Sequence, residues 1–295
     1  MRRIGEVSRR VGVSEHVLRA WESRYGLLKP ERSAGGYRLY SDEDERRVRR
    51  MQAHLADGLA AAQAARAAIA EEQPGPMAMN VAAPAPRANL IDLAEALRQA
   101  LDELNEPAAQ AVLDRLLTDF TVQTVLRDVL VTYLHELGER WEQGSASVAQ
   151  EHFASHVVRG RLTSLARGWG NGRGPHALLA CPPGELHDLA LLAFGIVLNR
   201  SGWRIGYLGA NTPILDLIQV TRDVHPTLVV LAATRPERFA AALPELSLLA
   251  GAAPLALAGA GATQDLAQDI GAQLLVGDPV TAAERLAGSG RGDLA

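Results

Sequence analysis

A chain of 295 residues has room for about two domains, and its longest apolar run, Leu189 to Leu198, is about half of what a membrane-spanning helix needs. The Met-Arg-Arg start leads into no apolar segment, and the single cysteine, Cys181, allows neither an internal disulfide nor a cysteine-based zinc site; the expectation is an unexported protein of the reducing cytoplasm. The net charge of −4 is unevenly spread: residues 1–50 hold 13 Lys and Arg against 8 Asp and Glu, +5, and the remainder is −9, so a basic head sits on an acidic body.

Ile4 to Val11 reads as a short amphipathic helix, Gly12 as a turn, and Ser14 as the N-cap of a second helix running to Tyr25. That is a helix-turn-helix whose second helix is offered to the major groove. His16, Arg19 and Arg24 are expected to face outward on it, with Val17, Leu18 and Trp21 in the core. Between Arg32 and Tyr40, Gly35-Gly36 allows a tight hairpin, a wing from which Tyr37 and Arg38 can approach phosphate. A solvated basic face without a partner is the alternative. The segments SRRVGV, LRAWE, RYGLL and GGYRLY resemble the winged-helix DNA-binding domain of the MerR regulators over residues 1–70. That resemblance implies double-stranded operator DNA as partner, in the nucleoid, with Arg19, Arg24, Tyr25, Tyr37 and Arg38 contacting bases or backbone.

Residues 71–88 form a Pro/Ala-rich segment with four prolines between Glu71 and Arg87, expected to be a semi-extended linker. From Asn89 to about Trp169 the pattern is helical. One helix starts at Asn89, a second is opened by Pro107, and a third carries the stripe Val122, Val125, Leu126, Val129, Leu130, Tyr133, Leu134, Leu137, Trp141. A fourth begins at the capping box of Ser147 and Gln150. Residues 89–170 therefore predict an antiparallel four-helix bundle. After Gly170, apolar runs at His176–Cys181, Arg204–Leu208, Thr227–Ala233, Pro254–Ala258 and Gln273–Val276 alternate with helical stretches at 187–200, 213–223, 236–250, 262–270 and 279–287. Residues 171–290 thus predict a doubly wound, five-stranded parallel sheet, Rossmann-like in its layers, followed by a frayed glycine-rich tail. The fold class is multi-domain, α and α/β.

Ligands of such sheets sit at the carboxyl ends of the strands, where His187 falls in the loop after the first strand. Glu185, two residues earlier, can accept its second ring proton, as a metal-ligating imidazole requires; a merely polar loop is the alternative. In the helical region, Val148, Glu151 and His152 share one face next to Trp141. They offer an aromatic plate, a carboxylate and an imidazole to a flat ligand and its sugar. Bundle core beside a solvated Glu-His pair explains the same spacing.

Tryptophan followed by Val, Glu and His, then a parallel fold with Glu-x-His, resembles the cobalamin-binding module of the CarH and LitR photoreceptor regulators, which carry a MerR head. The resemblance covers nearly the whole chain. It implies adenosylcobalamin as cofactor and His187 as the lower axial ligand of cobalt. Trp141, Val148, Glu151 and His152 would then line the upper face. It further implies a tetramer that represses in the dark and is dismantled by light. Departures are visible. Glu142 stands where the family has a histidine that ligates cobalt after photolysis, and Ala190 where glycine is common. Ala232-Ala233-Thr234 leaves Thr234 as the only hydroxyl for the nucleotide tail, and Gly259-Ala260-Gly261 replaces paired glycines. The expectation is a cobalamin-dependent, light-responsive repressor without catalytic residues. The alternatives are a corrinoid carrier, a MerR regulator with another ligand, and a cobalamin sensor lacking the reversible bis-histidine response.

Overall fold

The computed structural model describes residues 1–33, 36–71 and 86–289. Gly35 of the wing turn, most of the expected linker and the glycine-rich tail lie outside the described residues. The chain divides into two compact units, Met1–Val125 and Leu126–Ala295. No helix among the described residues is long and apolar enough to cross a membrane.

In the first unit α1 (Ile4–Val11) and α2 (Glu15–Tyr25) are each closed by a left-handed glycine, Gly12 at φ 69° and Gly26 at φ 63°. The Ser14 hydroxyl caps α2 by accepting from the Val17 amide. Strands β1 (Glu31–Arg32) and β2 (Arg38–Leu39) pair antiparallel as the wing. Then come α3 (Asp42–Ala56), started by a Ser41–Asp44 capping box, and α4 (Ala61–Ala70). Leu18, Leu27, Tyr40, Val48 and Met51 are buried. Val17 and Trp21, expected in the core, are only half-buried: α2 presents a single fully buried residue, Leu18, to the rest of this small head. Helices α5 (Pro86–Asp102) and α6 (Glu106–Asp119) pack as a hairpin; Asn105 caps α6 and Pro107 sits in its first turn, where a missing N–H costs nothing.

The third expected helix is not uniform. It runs as α7 (Val122–Thr124), a π-helical stretch Val125–Val131, and α8 (Thr132–Glu142). Val125, Leu126, Val129 and Leu130 are all buried, and the wider π turn keeps these adjacent pairs facing inward. The fourth, α9 (Val148–Leu165), starts at the Ser147–Gln150 capping box. Residues 89–170 thus supply four helices, but as two pairs. Helices α5 and α6 belong to the first unit, and α8 and α9 pack on each other in the second.

The second unit is built on a five-stranded parallel sheet in the order β4-β3-β5-β6-β7. The strands are β3 (His176–Ala180), β4 (Arg204–Gly209), β5 (Leu228–Ala232), β6 (Leu255–Ala258) and β7 (Gln273–Leu274). Alternate residues serve opposite faces, as the period of two dictates. Leu178, Val229, Leu231, Leu255 and Leu257 pack with α11 (Ile214–Val224), α12 (Pro236–Ala240), α13 (Leu243–Ala250) and α14 (Gln264–Ile270). On the Leu179 face lies α10 (Leu189–Arg200), which packs on α9 and on α15 (Pro279–Ser289). The expected single helix over 236–250 is two, because Pro244 lacks an N–H and belongs in the first turn of a new helix. Chain order reverses between β3 and β5, which opens a crevice at their carboxyl ends.

Candidate functional site

The loop from Cys181 to Asp188 leaves β3 at that crevice and is fixed by its neighbours. Cys181 N–H donates to Gly209 O at 2.8 Å, Thr212 N–H to Cys181 O at 2.9 Å and Gly184 N–H to Asn211 Oδ1 at 2.7 Å. Within it Glu185 is 1% exposed, and its carboxylate accepts four hydrogen bonds. Oε1 takes the His187 amide at 2.9 Å and His187 Nδ1 at 2.6 Å. Oε2 takes the Thr234 amide and the Thr234 hydroxyl, both at 2.7 Å, across from the end of β5. Burial pushes the Glu185 carboxyl up, but the Thr234 and His187 donors outweigh it and hold it down at about 2.

An ionised carboxylate can only accept, so Nδ1 carries the proton and Nε2 carries the lone pair. The His187 side chain is 73% exposed, which leaves that nitrogen available as a ligand. The sign of the pH dependence follows. A carboxyl depressed from 4.5 to about 2 stabilises the folded loop fully above pH 4.5 and loses that contribution as pH falls toward 2. The gap in melting temperature between wild type and Glu185→Gln is therefore expected to narrow from pH 5 to about pH 3. A gap that stays constant across that range shows a Glu185 carboxyl that titrates alike in the folded and unfolded chain.

Three residues absent from the sequence reading complete the loop's anchorage. Asp188 is gripped by the Arg159 guanidinium, with 3.1 Å between Nη1 and Oδ2 and a second contact from Nη2 to Oδ1, and by the Tyr207 hydroxyl at 2.8 Å. Burial raises the Asp188 carboxyl, and the Arg159 and Tyr207 hydrogen bonds bring it below its ordinary value. Burial pushes the Cys181 thiol up to about 12, which leaves it protonated and unreactive. The one local signal for this network was Asp188 itself, directly after His187.

Two groups expected at the crevice also make contacts within the chain. The Thr234 hydroxyl, expected to hold a nucleotide tail, donates to Glu185, because a buried carboxylate needs every donor within reach. Gly259 and Gly261 serve close packing of the chain on itself. A Cβ at Gly261 would stand 2.6 Å from the Arg235 carbonyl group, and one at Gly259 would collide with the Ala233 carbonyl oxygen.

On the helical side the exposures bear on whether the stripe is bundle core. Trp141 is 44% and Val148 55% exposed, so neither is core. Glu151 accepts from the Ser155 hydroxyl at 2.7 Å and lies 3.5 Å from His152 Nε2; His152 itself is exposed. Glu142 is exposed beside Trp141. Helix α9, which carries Val148, Glu151 and His152, packs on α8 and α10 and supplies Arg159 to Asp188.

In the head His16, Arg19, Arg24, Tyr37 and Arg38 are exposed and Tyr25 is half-buried. Arg38 is not loose: its Nε donates to Glu22 Oε1 at 2.9 Å, and the Tyr40 hydroxyl donates to Glu22 Oε2 at 2.7 Å. The Arg3 guanidinium lies 4.6 Å over the Tyr37 ring, a cation–π contact that the sequence reading did not include.

Comparison with known proteins agrees with this division of labour. Residues 2–69 match the MerR HTH family regulatory protein model, and residues 93–166 match the B12 binding domain. The chain is 34% identical to the HTH-type transcriptional repressor CarH of Myxococcus xanthus, over 78% of each chain. It is 35% identical to the repressor CarA of the same organism, over 90% of this chain and 88% of that one. Among solved structures, a monomethylamine corrinoid protein of Methanosarcina barkeri superposes with a TM-score of 0.57 at 15% identity, over 68% of this chain and 99% of that one, a likeness of fold.

Proposed function

The chain belongs to the CarH/CarA-type repressors of the MerR family, and from that premise we propose that it is an adenosylcobalamin-dependent, light-responsive repressor whose state of assembly governs its hold on operator DNA. It is a cobalamin-dependent transcriptional regulator that binds DNA, not an enzyme. The finer reading rests on one observation: an exposed imidazole at the topological switch point, its Nδ1 tied to a buried carboxylate and its Nε2 free to donate.

A corrin brings its own four equatorial nitrogens, so the protein need supply only one axial donor; a lone, oriented histidine fits that requirement. In this reading His187 takes the lower face of the cofactor, while Trp141 and Val148 cover the upper ligand and Glu151 and His152 address its sugar hydroxyls. Functionally the chain then divides into a DNA-reading head over 1–70, a linker over 71–88, a helical cap over 89–170 and a cofactor-binding sheet over 171–290. When bound, adenosylcobalamin supplies a cobalt–carbon bond that light can cleave. The protein's own part is to bind it, orient it and exclude water around it. Ligand binding that favours one assembly shifts the population toward it by the difference in affinity. Several linked heads then hold DNA more strongly than one.

A second reading is favoured by Glu142, whose carboxylate stands where the family's photolysis histidine would be: a cobalamin sensor without the reversible bis-histidine response. Size-exclusion chromatography of protein reconstituted with adenosylcobalamin, in the dark and after illumination, separates them. Cobalamin eluting with a large dark species that shrinks in light is the expected result. Co-elution without a change in size supports the second reading, and no co-elution removes the cobalamin site from His187.

A further inference from the structure

Asp188 occupies the N-cap position of α10, where an aspartate ordinarily accepts N–H groups from the first turn of its own helix. It makes no such bond. Its carboxylate, only 5% exposed, is given over instead to Arg159 of α9 and Tyr207 of β4. Arg159 lies seven residues after His152 and eleven after Val148, separations that return to within about 20° of the same direction on an α-helix. One face of α9 thus carries both Val148 and His152, read as part of the upper wall of the cofactor site, and the guanidinium that grips the residue next to His187. The grip is two-pronged, and a planar fork on a carboxylate fixes orientation as well as distance, which a point charge does not.

We propose that Arg159 is a positioning residue of the cobalamin site: by holding Asp188 it sets the spacing between α9 and the His187 loop, and with it the room left for the upper ligand. The inference rests on the cobalamin reading above and adds to it a residue that does not touch the cofactor. A merely structural salt bridge would affect all cobalamins alike. A spacer should instead discriminate by the size of the upper ligand.

The test titrates full-length wild type, Arg159→Lys and Arg159→Gln in the dark with adenosylcobalamin and with hydroxocobalamin, followed by visible absorbance, with circular dichroism to confirm folding. Arg159→Gln is expected to bind adenosylcobalamin about tenfold to hundredfold more weakly while hydroxocobalamin changes by less than about threefold, the range seen when supporting partners of metal ligands are removed. Arg159→Lys, which keeps the charge without the fork, should fall between. Unchanged adenosylcobalamin affinity, or an equal loss of both forms in folded protein, overturns the proposal. A wild type that binds neither form overturns the cobalamin reading itself. If Arg159→Gln does not fold, Tyr207→Phe removes one hydroxyl from Asp188 while keeping the ring against Trp169. It must then show the same adenosyl-selective loss, smaller in size, and an equal effect on both forms counts against the spacer.

Discussion

On the proposed reading, in which His187 would ligate cobalt, a His187→Ala variant is expected to lose the visible spectrum and co-elution of bound cobalamin. The loss should exceed the tenfold to hundredfold typical of a supporting residue, so more than about 2.7 kcal/mol of binding free energy. Four hydrogen bonds hold the Glu185 carboxylate, and two of them come from His187, one from its backbone amide and one from its ring. Alanine keeps the amide, and both Thr234 donors remain. The loop therefore retains three of its four anchors, and the variant should fold. Because Nδ1–H donates to an ionised acceptor, Nε2 is also a stronger donor than a free imidazole would be. Glu185→Gln keeps an acceptor without the charge, so it should weaken cobalamin less than His187→Ala while preserving coordination. Spectra of bound cobalamin in both variants, compared at matched occupancy, check the pair. An unchanged spectrum in His187→Ala removes the ligand assignment.

Much of this was legible in residue order, and what was not has a common cause. Near-continuous apolar strands, the capping box at Ser147 and the glycine turn after α1 are local features, written in a few adjacent residues. So is Glu185 two residues before His187. The π stretch was hidden because Val125, Leu126, Val129 and Leu130 satisfy an α-helical stripe as well as a π turn. Spacing placed Val148, Glu151 and His152 on one face beside Trp141 but could not say whether Trp141 and Val148 were buried. The Arg159–Asp188–Tyr207 network joins residues 29 and 19 positions apart, across a helix, a loop and a strand. No periodicity announces such a contact, and only the folded chain brings it together. Thr234 is similar: its contact with Glu185 joins the ends of β5 and β3, 49 positions apart.

The head offers the second test, and here counting charges and reading geometry predict opposite signs. Glu22 is an acidic residue on the helix offered to DNA, so removing it should strengthen binding if only charge mattered. Its carboxylate, however, joins that helix to the wing through Arg38 Nε and the Tyr40 hydroxyl. Tyr40 is 1% exposed, and its backbone exchanges two hydrogen bonds with Arg2, each 2.8 Å, so the base of the wing is tied both to α2 and to the chain entering α1. Burial, and then the Glu22 carboxylate, push the Tyr40 hydroxyl well above the usual phenol range, so it stays a donor. Glu22→Ala strands that buried donor, at a cost of about 1–3 kcal/mol, and frees Arg38 from its fixed direction. DNA affinity is therefore expected to fall by about tenfold or more, with a lower melting temperature. Glu22→Gln, whose single side-chain oxygen can accept from Arg38 while its Nε2 donates to the Tyr40 hydroxyl, should recover part of the loss. Arg38→Ala should differ in kind: a loss nearly uniform across sequences, with the salt slope reduced by about one phosphate contact and little change in melting. Anisotropy titrations of a duplex selected by the wild-type protein, at several salt concentrations, distinguish the two. Tighter binding by Glu22→Ala would mean that the wing holds its place without the carboxylate, and that Glu22 acts on DNA only as a like charge.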